Sequence, residues 1–258
     1  MQTITHPVSA AFRAFPIVRM ETAQESTGAQ CSSCRFKGLC LPGGLEPSDL
    51  ALMDGMTFAQ RRLQEGEALY HEGEDARFIY AVRMGTLKSS ILSRDGREQV
   101  TGFPVAGEVL GLDGLATGTH ASSVHALEAS QVCTIHFATL CELARRSARV
   151  QQVITRLLSR EIVREQEHMT LLGDSDAGHR LQGFLLNISR RMAERGYSAS
   201  EFHLRMSRAE IGSYLGMTLE TVSRAFSALQ RQGVLEVDRK HVRIHDVQAL
   251  AQAFETVD

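Results

Sequence analysis

Three cysteines fall within ten residues of this chain, in the segment Cys31-Ser-Ser-Cys-Arg-Phe-Lys-Gly-Leu-Cys40. A backbone that carries three thiols at this spacing is expected to form a loop around a metal site or a redox centre. Tetrahedral zinc and the common iron–sulfur clusters both take four thiolates, so a fourth ligand must come from another part of the chain. The sequence offers Cys133 and Cys141.

The two candidates for the fourth ligand lie in different local patterns. Cys133 belongs to the alternating run Gln131-Val-Cys-Thr-Ile-His-Phe137, which predicts a strand with Cys133, Ile135 and Phe137 on one apolar face. Cys141 lies at the start of a predicted helix, where a buried cysteine commonly acts as a small apolar side chain. The choice between zinc and an iron–sulfur cluster stays open at this point, because the spacing matches neither repeated Cys-x2-Cys pairs nor a ferredoxin pattern.

Cysteine usage also predicts the compartment. The chain has 5 cysteines, an odd number that does not resemble a secreted disulfide framework, so a reducing environment is expected. No stretch approaches the ~18 consecutive apolar residues of a membrane span, and the N-terminus, interrupted by Pro7 and Pro16, lacks the pattern of a leader peptide. We therefore expect a cytoplasmic protein without membrane association.

Length and composition predict two domains plus a tail, since the chain has 258 residues of which 43% are hydrophobic. Residues 1–30 are predicted to be a flexible tail and residues 31–44 the cysteine loop. Residues 45–138 contain short apolar runs separated by glycines, which predict an antiparallel β-roll. Residues 139–173 are predicted to form one long helix, and residues 174–258 a second, mainly helical domain. The expected fold class is α+β.

The long predicted helix carries a stripe of side chains suited to a partner helix, which we call the seam. The seam consists of Ile154, Leu158, Ile162, Glu165, Met169 and Leu172. In a parallel pair around a two-fold axis, Glu165 approaches its own copy, and two carboxylates in a partly apolar seam repel each other. We hypothesise that this repulsion keeps the dimer from persisting until the helix is repositioned. The alternative is that Glu165 lies at the edge of the seam, beside Arg160 or Arg164.

The second domain contains a predicted helix-turn-helix. Ser207 and Glu210 have the spacing of a capping box at the start of a first helix. Gly216 permits a tight turn, and Thr218 can cap a second helix that runs to about Gln230.

The second of these helices has one apolar face and one polar face, the latter formed by Glu220, Ser223, Arg224 and Ser227. Arg can pair with guanine and Glu can accept from cytosine in the major groove. Residues 190–243 hold ten Lys or Arg against six Asp or Glu, although the whole chain has a net charge of −2, so this region is expected to face phosphates. Residues 233–244 are predicted to form a two-stranded wing. The alternative is an ordinary helical hairpin with a solvated polar face.

Together these features resemble the FNR family, the fumarate and nitrate reduction regulators within the cyclic-AMP receptor protein superfamily. The resemblance runs from about Cys31 to the end of the chain. Its motifs are the cysteine cluster with Leu41-Pro42, the run Glu98-Gln-Val-Thr-Gly-Phe103, Ala126-Leu-Glu128 before Val132-Cys133, and Glu220-Thr-Val-Ser-Arg224. It implies a cyclic-nucleotide-binding-like roll, a dimerisation helix and a C-terminal winged helix-turn-helix.

The resemblance also implies an oxygen-labile [4Fe–4S] cluster, with the ligands Cys31, Cys34, Cys40 and Cys133. The cluster-loaded chain would form a homodimer and bind double-stranded DNA at TTGAT-N4-ATCAA-like promoter sites, controlling anaerobic gene expression. The implied base readers are Glu220, Ser223 and Arg224. RNA polymerase would be recruited through surface loops of the roll such as residues 93–97.

Other ligands and activities are not expected. Gly107-Glu108 is retained from the cyclic-nucleotide-binding pattern, but the Arg-Ser pair that would neutralise a cyclic phosphate is absent between His120 and Ser123. The sequence shows no Gly-rich phosphate loop and no acid–base or nucleophile constellation, so we do not expect an enzyme. Two alternatives remain, a zinc-stabilised or thiol-redox regulator of the same fold and an iron–sulfur electron-transfer protein.

Overall fold

The computed structural model describes residues 30–55 and 59–255. The predicted tail lies outside these ranges except for Gln30. The first domain is a roll of two antiparallel sheets with the strand orders β1-β8-β3-β6 and β2-β7-β4-β5, as the glycine-punctuated apolar runs predicted. Its strands are β1 (Ala59–Leu63), β2 (Ala68–Tyr70), β3 (Phe78–Met84), β4 (Leu87–Leu92), β5 (Glu98–Gly102), β6 (Val109–Leu110), β7 (Ser123–Ala126) and β8 (Ser130–His136).

Two apolar clusters lie on opposite faces of the sheet that contains β8. Leu63, Tyr70 and Val132 belong to a cluster inside the roll. Ile135 belongs to a second cluster, which also contains Leu41 and residues of the first three helices. Successive strand residues point to opposite faces, so Val132 and Cys133 contribute to different clusters. This alternation turns Cys133 toward the cysteine loop.

A helix precedes the roll within the segment expected to hold only strands. Helix α1 (Pro47–Asp54) has proline in its first turn, where a missing backbone N–H costs little. Its apolar residues do not form a single stripe, and among the apolar ones only Met53 is buried. Because that pattern gives no helical period, the sequence did not reveal this helix.

The predicted long helix is confirmed, but its predicted bounds of 139–173 were wrong, because the segment is interrupted. The segment forms α2 (Phe137–Arg146) and α3 (Ala148–Gly173), separated by Ser147 in an extended conformation. The Ser147 hydroxyl accepts the Val150 amide and donates to Asp49 at 2.8 Å. Serine competes for backbone hydrogen bonds in this way and favours a helix N-terminus, which breaks a helix whose apolar period continues on both sides.

The second domain contains the predicted helix-turn-helix and wing. Asp176 caps its first helix by accepting the His179 amide at 2.7 Å. The wing strands pair antiparallel, and the strand that precedes the helix-turn-helix joins them in the order β10-β11-β9. The elements are α4 (Ala177–Glu194), β9 (Glu201–His203), α5 (Arg208–Leu215), α6 (Leu219–Arg231), β10 (Leu235–Asp238), β11 (His241–Ile244) and α7 (Val247–Glu255).

The roll packs directly on the second domain. Val100 and Phe103 of the roll are buried in the same apolar cluster as residues of α4, α5 and α6. The Ser213 hydroxyl of α5 accepts the Val100 amide at 2.9 Å and donates to the Glu98 carbonyl at 3.1 Å. These contacts fix strand β5 against the helix-turn-helix.

No helix in the described ranges, not even α3, is both long enough and apolar enough to cross a membrane.

Candidate metal centre and nucleic-acid interface

Four of the five cysteines line one small cavity, and Cys141 does not. Cys31, Cys34 and Cys40 come from the loop, and Cys133 comes from β8, where it pairs with Gln60 and Ala81 of the neighbouring strands. Most other wall residues are apolar, among them Phe36, Leu41, Pro42 and Ile135. The fold therefore brings together the four thiols that the resemblance implied as ligands.

A series of tight turns shapes the cysteine loop. The Cys34 amide donates to the Cys31 carbonyl at 3.2 Å, and the Cys40 amide donates to the Phe36 carbonyl at 2.9 Å. The Asp54 carboxylate, at the end of α1, accepts the Ser32 amide at 3.1 Å. Hydrogen bonds from the Ser32 side chain and backbone lower the pKa of Asp54, so it remains a charged acceptor. The loop is thus attached to α1 on one side and faces β8 on the other.

The thiols of the cavity influence one another. Burial, together with the neighbouring thiol of Cys133, raises the pKa of Cys31 to about 12. Burial also raises the pKa of Cys40 to about 12 and raises the pKa of Cys133, whose shift is opposed by Arg83. Metal ligation requires thiolates, so binding here must displace protons. Soft thiolate donors suit zinc or iron–sulfur chemistry, and the donor set fits either group.

The thiols form the walls of the cavity rather than meeting at one point. Across residues 30–55 and 59–255, no three His, Cys, Asp or Glu side chains are placed to hold a single metal ion.

Helix α3 contacts the cysteine loop. The Nη1 atom of Arg156 donates to the Gly43 carbonyl at 2.9 Å. The Nη1 atom of Arg160 lies 3.5 Å from the Leu39 carbonyl. Ile154 and Leu157 pack against the same apolar cluster as Cys31, Cys40 and Cys133. The predicted dimerisation helix is therefore in direct contact with the segment that carries three candidate ligands.

Most of the predicted seam on α3 is solvent-exposed in the single chain. The exposed fractions are 59% for Ile162, 62% for Met169 and 39% for Leu158, and large apolar side chains at such exposure suit a partner surface. Leu172 is 36% exposed. Ile154 differs, because it packs on the roll of its own subunit.

Glu165 is also exposed, and it lines a small cavity together with Arg164 and Tyr214. This position lies beside Arg164, as in the alternative to the repulsion hypothesis.

The helix-turn-helix has the predicted caps and turn. The Ser207 side chain accepts the Glu210 amide at 3.2 Å, and the Glu210 carboxylate accepts the Ser207 amide at 2.7 Å, which completes the capping box. Gly216 ends α5 in the left-handed conformation with φ of 63°, which glycine adopts without a steric penalty. The Thr218 hydroxyl accepts the Thr221 amide and caps α6.

Helix α6 presents the predicted polar face to solvent. Glu220 and Arg224 are exposed and Ser223 is half-buried, whereas Val222, Ala225, Phe226 and Leu229 are buried. A hydrogen bond from its own backbone amide and one from Thr218 lower the pKa of Glu220, so it is available as an acceptor. Arg224 donates to the Thr221 hydroxyl at 3.2 Å rather than to Glu220.

Sequence reasoning missed one basic residue beside the recognition helix. The Arg208 guanidinium lies 3.3 Å above the ring of Phe226, and burial lowers its pKa to about 10. It follows the Ser207 cap directly and donates toward the Arg239 carbonyl at the wing turn. A basic residue at the first position of a helix-turn-helix is the signal that would have found it.

Glu108, interpreted from sequence as a remnant of a nucleotide pocket, has a different environment. Its carboxylate accepts hydrogen bonds from Arg191 at 2.8 Å and from Arg195 at 2.7 Å. Burial disfavours the charged carboxylate, but Arg191, Arg164 and Arg195 outweigh that effect and lower the pKa of Glu108. Arg191 of α4 and Arg195, directly after the helix, therefore occupy the carboxylate. No local sequence pattern predicts this pairing between domains.

Two domain families match the chain. Residues 60–147 match the cyclic nucleotide-binding domain, and residues 179–253 match the Crp-like helix-turn-helix domain. The fumarate and nitrate reduction regulatory protein of Escherichia coli strain K12 is 40% identical over 222 residues, covering 86% of this chain and 89% of that protein.

Two further proteins are similar over most of their lengths. The transcriptional regulatory protein btr of Bordetella pertussis is 41% identical over 224 residues, covering 87% of this chain and 93% of that protein. The solved structure of FixK2 from Bradyrhizobium japonicum superposes with a TM-score of 0.70 at 32% identity, covering 76% of this chain and 97% of that one.

Proposed function

The chain belongs to the Crp/FNR family of transcriptional regulators, and we propose that it regulates promoters in response to oxygen through a [4Fe–4S] cluster. The proposed ligands are Cys31, Cys34, Cys40 and Cys133. The chain is a DNA-binding regulator of the FNR type and not an enzyme. We place its activity in the cytoplasm.

One observation carries the proposal. Cys133 lies about a hundred residues from the cysteine loop in sequence, yet its side chain lines the same cavity as the three loop thiols. A cysteine with a purely structural role on β8 would not need three other thiols beside it. Cys141, by contrast, does not line this cavity. When bound, the cluster would supply the reactivity toward oxygen. Its ligands and its solvent exposure would set its reduction potential.

The contacts of α3 suggest how the loop influences dimerisation. Arg156 and Arg160 hold carbonyls of the loop, so a change in the loop backbone displaces the same helix that carries the seam. The family is dimeric, and the exposed seam residues form our proposed interface, namely Leu158, Ile162, Glu165, Met169 and Leu172. Ile154 lies at its edge, because it packs on the roll of its own subunit. The cluster-loaded chain forms this dimer in our proposal.

DNA recognition follows from the dimer and α6. Two helix-turn-helix units related by a two-fold axis read a palindrome whose half-sites lie about one helical turn apart. We propose TTGAT-N4-ATCAA-like sites, with Glu220, Ser223 and Arg224 as base readers and Arg208 as a phosphate contact. The exposure of this face of α6 and its basic surroundings support the proposal.

One partner of the roll completes the proposal. The turn from Ser93 to Arg97 is exposed and ordered by its own hydrogen bonds, with the Ser93 hydroxyl donating to Asp95 at 2.6 Å, so it is a suitable contact for RNA polymerase. A cyclic nucleotide is not proposed, because Arg191 and Arg195 already hold the carboxylate of Glu108.

The test is an absorption spectrum of protein purified without oxygen, followed during exposure to air, with iron and sulfide analysis on the same sample. We expect a broad visible band that bleaches in air while the dimer dissociates. A colourless, air-stable protein that contains zinc would establish the zinc-stabilised regulator instead. A coloured protein whose DNA binding is indifferent to air would favour a redox or electron-transfer role for the cluster.

A further inference from the structure

The cysteine loop touches the DNA-binding domain of its own subunit. The guanidinium carbon of Arg35 lies 5.5 Å from the ring centre of Tyr197. Arg35 directly follows Cys34, one of the proposed ligands, and Tyr197 lies in the turn between α4 and β9. The distance is within the range of a cation–π interaction. A residue next to a ligand thus contacts the domain that reads DNA.

A second contact joins the cysteine loop to a turn of the roll, residues 103–108, which also contacts α4. A Cβ atom on Gly107 would lie 3.0 Å from the Cβ atom of Leu39, the residue before Cys40. Gly107 has a φ of +90°, so glycine provides both the backbone conformation and the space for this close approach. The turn of residues 103–108 is therefore covered on one side by the cysteine loop.

The last turn of α4 and the residue after it hold the other side of the same turn of the roll. Arg195 donates through Nε to the Ala106 carbonyl at 2.6 Å, and Arg191 donates to the Phe103 carbonyl at 2.6 Å. Both arginines also bind the Glu108 carboxylate, and Glu108 and Arg195 are each only 7% exposed. A tightly packed buried contact of this kind transmits displacement instead of absorbing it. The turn is thus clamped between the cysteine loop and the DNA-binding domain.

We infer that the cysteine loop is coupled to the DNA-binding domain within a single subunit, through Arg35 on Tyr197 and through Leu39 on the turn of residues 103–108. This route lies within one subunit and does not require the dimer. The signal carried by this route rests on the proposed function, since cluster uptake by the thiols would move the loop. The docking of the loop on the DNA-binding domain does not itself require the cluster. Coupling between sites is reciprocal, so the position of the DNA-binding domain also acts on the loop.

Docking is tested on cluster-free, reduced protein. The rate of Cys34 alkylation by iodoacetamide is measured by mass spectrometry in the native chain, in Tyr197→Leu and in Tyr197→Phe. We expect alkylation to be about 2- to 5-fold faster in Tyr197→Leu, the effect of losing an exposed cation–π contact. Tyr197→Phe is the matched control, because it keeps the ring and should react at the native rate.

Two controls accompany the comparison of alkylation rates. Circular dichroism and the urea midpoint show whether each variant is folded. Arg35→Gln removes the contact from the other side and should speed amide hydrogen exchange around Tyr197, just as Tyr197→Leu should speed the alkylation of Cys34. Equal rates in Tyr197→Leu, Arg35→Gln and the native chain would overturn the docking.

Coupling is tested by hydrogen exchange over residues 190–205, before and after anaerobic reconstitution with iron and sulfide. We expect loading to change exchange in this segment, in the native chain and equally in the monomeric variant Ile162→Glu, whereas Tyr197→Leu weakens the change. A change that disappears in Ile162→Glu would show that the signal passes through the dimer and would overturn the inference. Failure to take up iron would instead refute the proposed cluster, while the alkylation rates still decide the docking.

Discussion

The Glu108 carboxylate of the roll and the guanidinium of Arg195, the residue directly after α4, form a buried ion pair with an N–O distance of 2.7 Å. Arg191 binds the same carboxylate at 2.8 Å, and Arg164 of α3 lies 3.8 Å away. One carboxylate thus joins the roll, the long helix and the DNA-binding domain. Burying so many charges is costly, and the arrangement is favourable only while every member has its partner.

Glu108→Gln is therefore expected to lower the free energy of unfolding by about 3–5 kcal/mol, because it leaves buried arginine charges unpaired. Urea denaturation measures the effect. The matched control is Glu194→Gln, since Glu194 is 49% exposed and lies 3.8 Å from Arg195. Exposed pairs contribute ~0–1 kcal/mol, so this control should unfold near the native midpoint. A Glu108→Gln protein as stable as the control would contradict the prediction.

His179, in the first turn of α4, predicts a dependence of stability on pH. Its Nδ1 atom faces the Asp174 carboxylate and its Nε2 atom lies 2.9 Å from the Phe254 carbonyl. Both partners are acceptors, so the ring is fully satisfied only as the imidazolium. Burial opposes that charge, but the hydrogen bonds to Phe254 and Asp174 outweigh it and raise the pKa of His179.

A raised folded-state pKa means that the stability from His179 is fully present below the unfolded value of about 6.5 and is lost as pH rises through the folded value. We expect the urea midpoint of the native chain to fall across that interval more steeply than that of His179→Gln, which cannot titrate at this position. Parallel curves for the two proteins would show that His179 contributes no such linkage.

Local patterns in the sequence were enough to predict the helix-turn-helix. The capping box of Ser207 and Glu210, the turn at Gly216 and the split faces of α6 each depend on residues within a few positions of one another. The cysteine loop was predictable for the same reason. Cys133 required the family resemblance, because periodicity placed it on an apolar face but could not say what lay opposite.

What the sequence missed depends on contacts between distant residues. The break at Ser147 is reinforced by a hydrogen bond to Asp49, 98 positions away, and the Glu108 pairs join residues more than 80 positions apart. Helix α1 gave no periodic signal. None of these features leaves a repeating pattern along the chain, so propensity and periodicity could not report them.

The cavity predicts unequal roles for the cysteines. Cys133→Ser is expected to abolish the visible absorption band of anaerobically reconstituted protein, since it removes one of the four thiols that line the cavity. Cys141→Ser is the matched control, a cysteine of the same chain that lies outside that cavity, and it should retain the native iron and sulfide content. If both variants lost the same amount of iron, the cluster would not be bound specifically by the thiols of this cavity.

Helix α6 predicts separable effects on DNA specificity and affinity. Arg224→Ala is expected to weaken binding to a TTGAT-type site by about 1–3 kcal/mol and to relax the preference for one base pair. Arg208→Ala should weaken binding to matched and mismatched sites alike and reduce the salt dependence, as expected for a phosphate contact. Fluorescence anisotropy at several salt concentrations measures both. Uniform weakening by Arg224→Ala would show that it does not read a base.

The seam of α3 provides the last prediction. If Glu165 meets its own copy between Ile162 and Met169, the paired carboxylates repel each other in a partly apolar seam. Glu165→Ala then dimerises in air without a cluster, as sedimentation would show, and Ile162→Glu remains monomeric under every condition because it buries a second charge per helix. The position of Glu165 beside Arg164 and Tyr214 gives the opposite expectation. There the Arg164 guanidinium attracts the Glu165 carboxylate and opposes the repulsion. A Glu165→Ala protein that stays monomeric in air would assign the weakness of the cluster-free dimer to the loop contacts of Arg156 and Arg160.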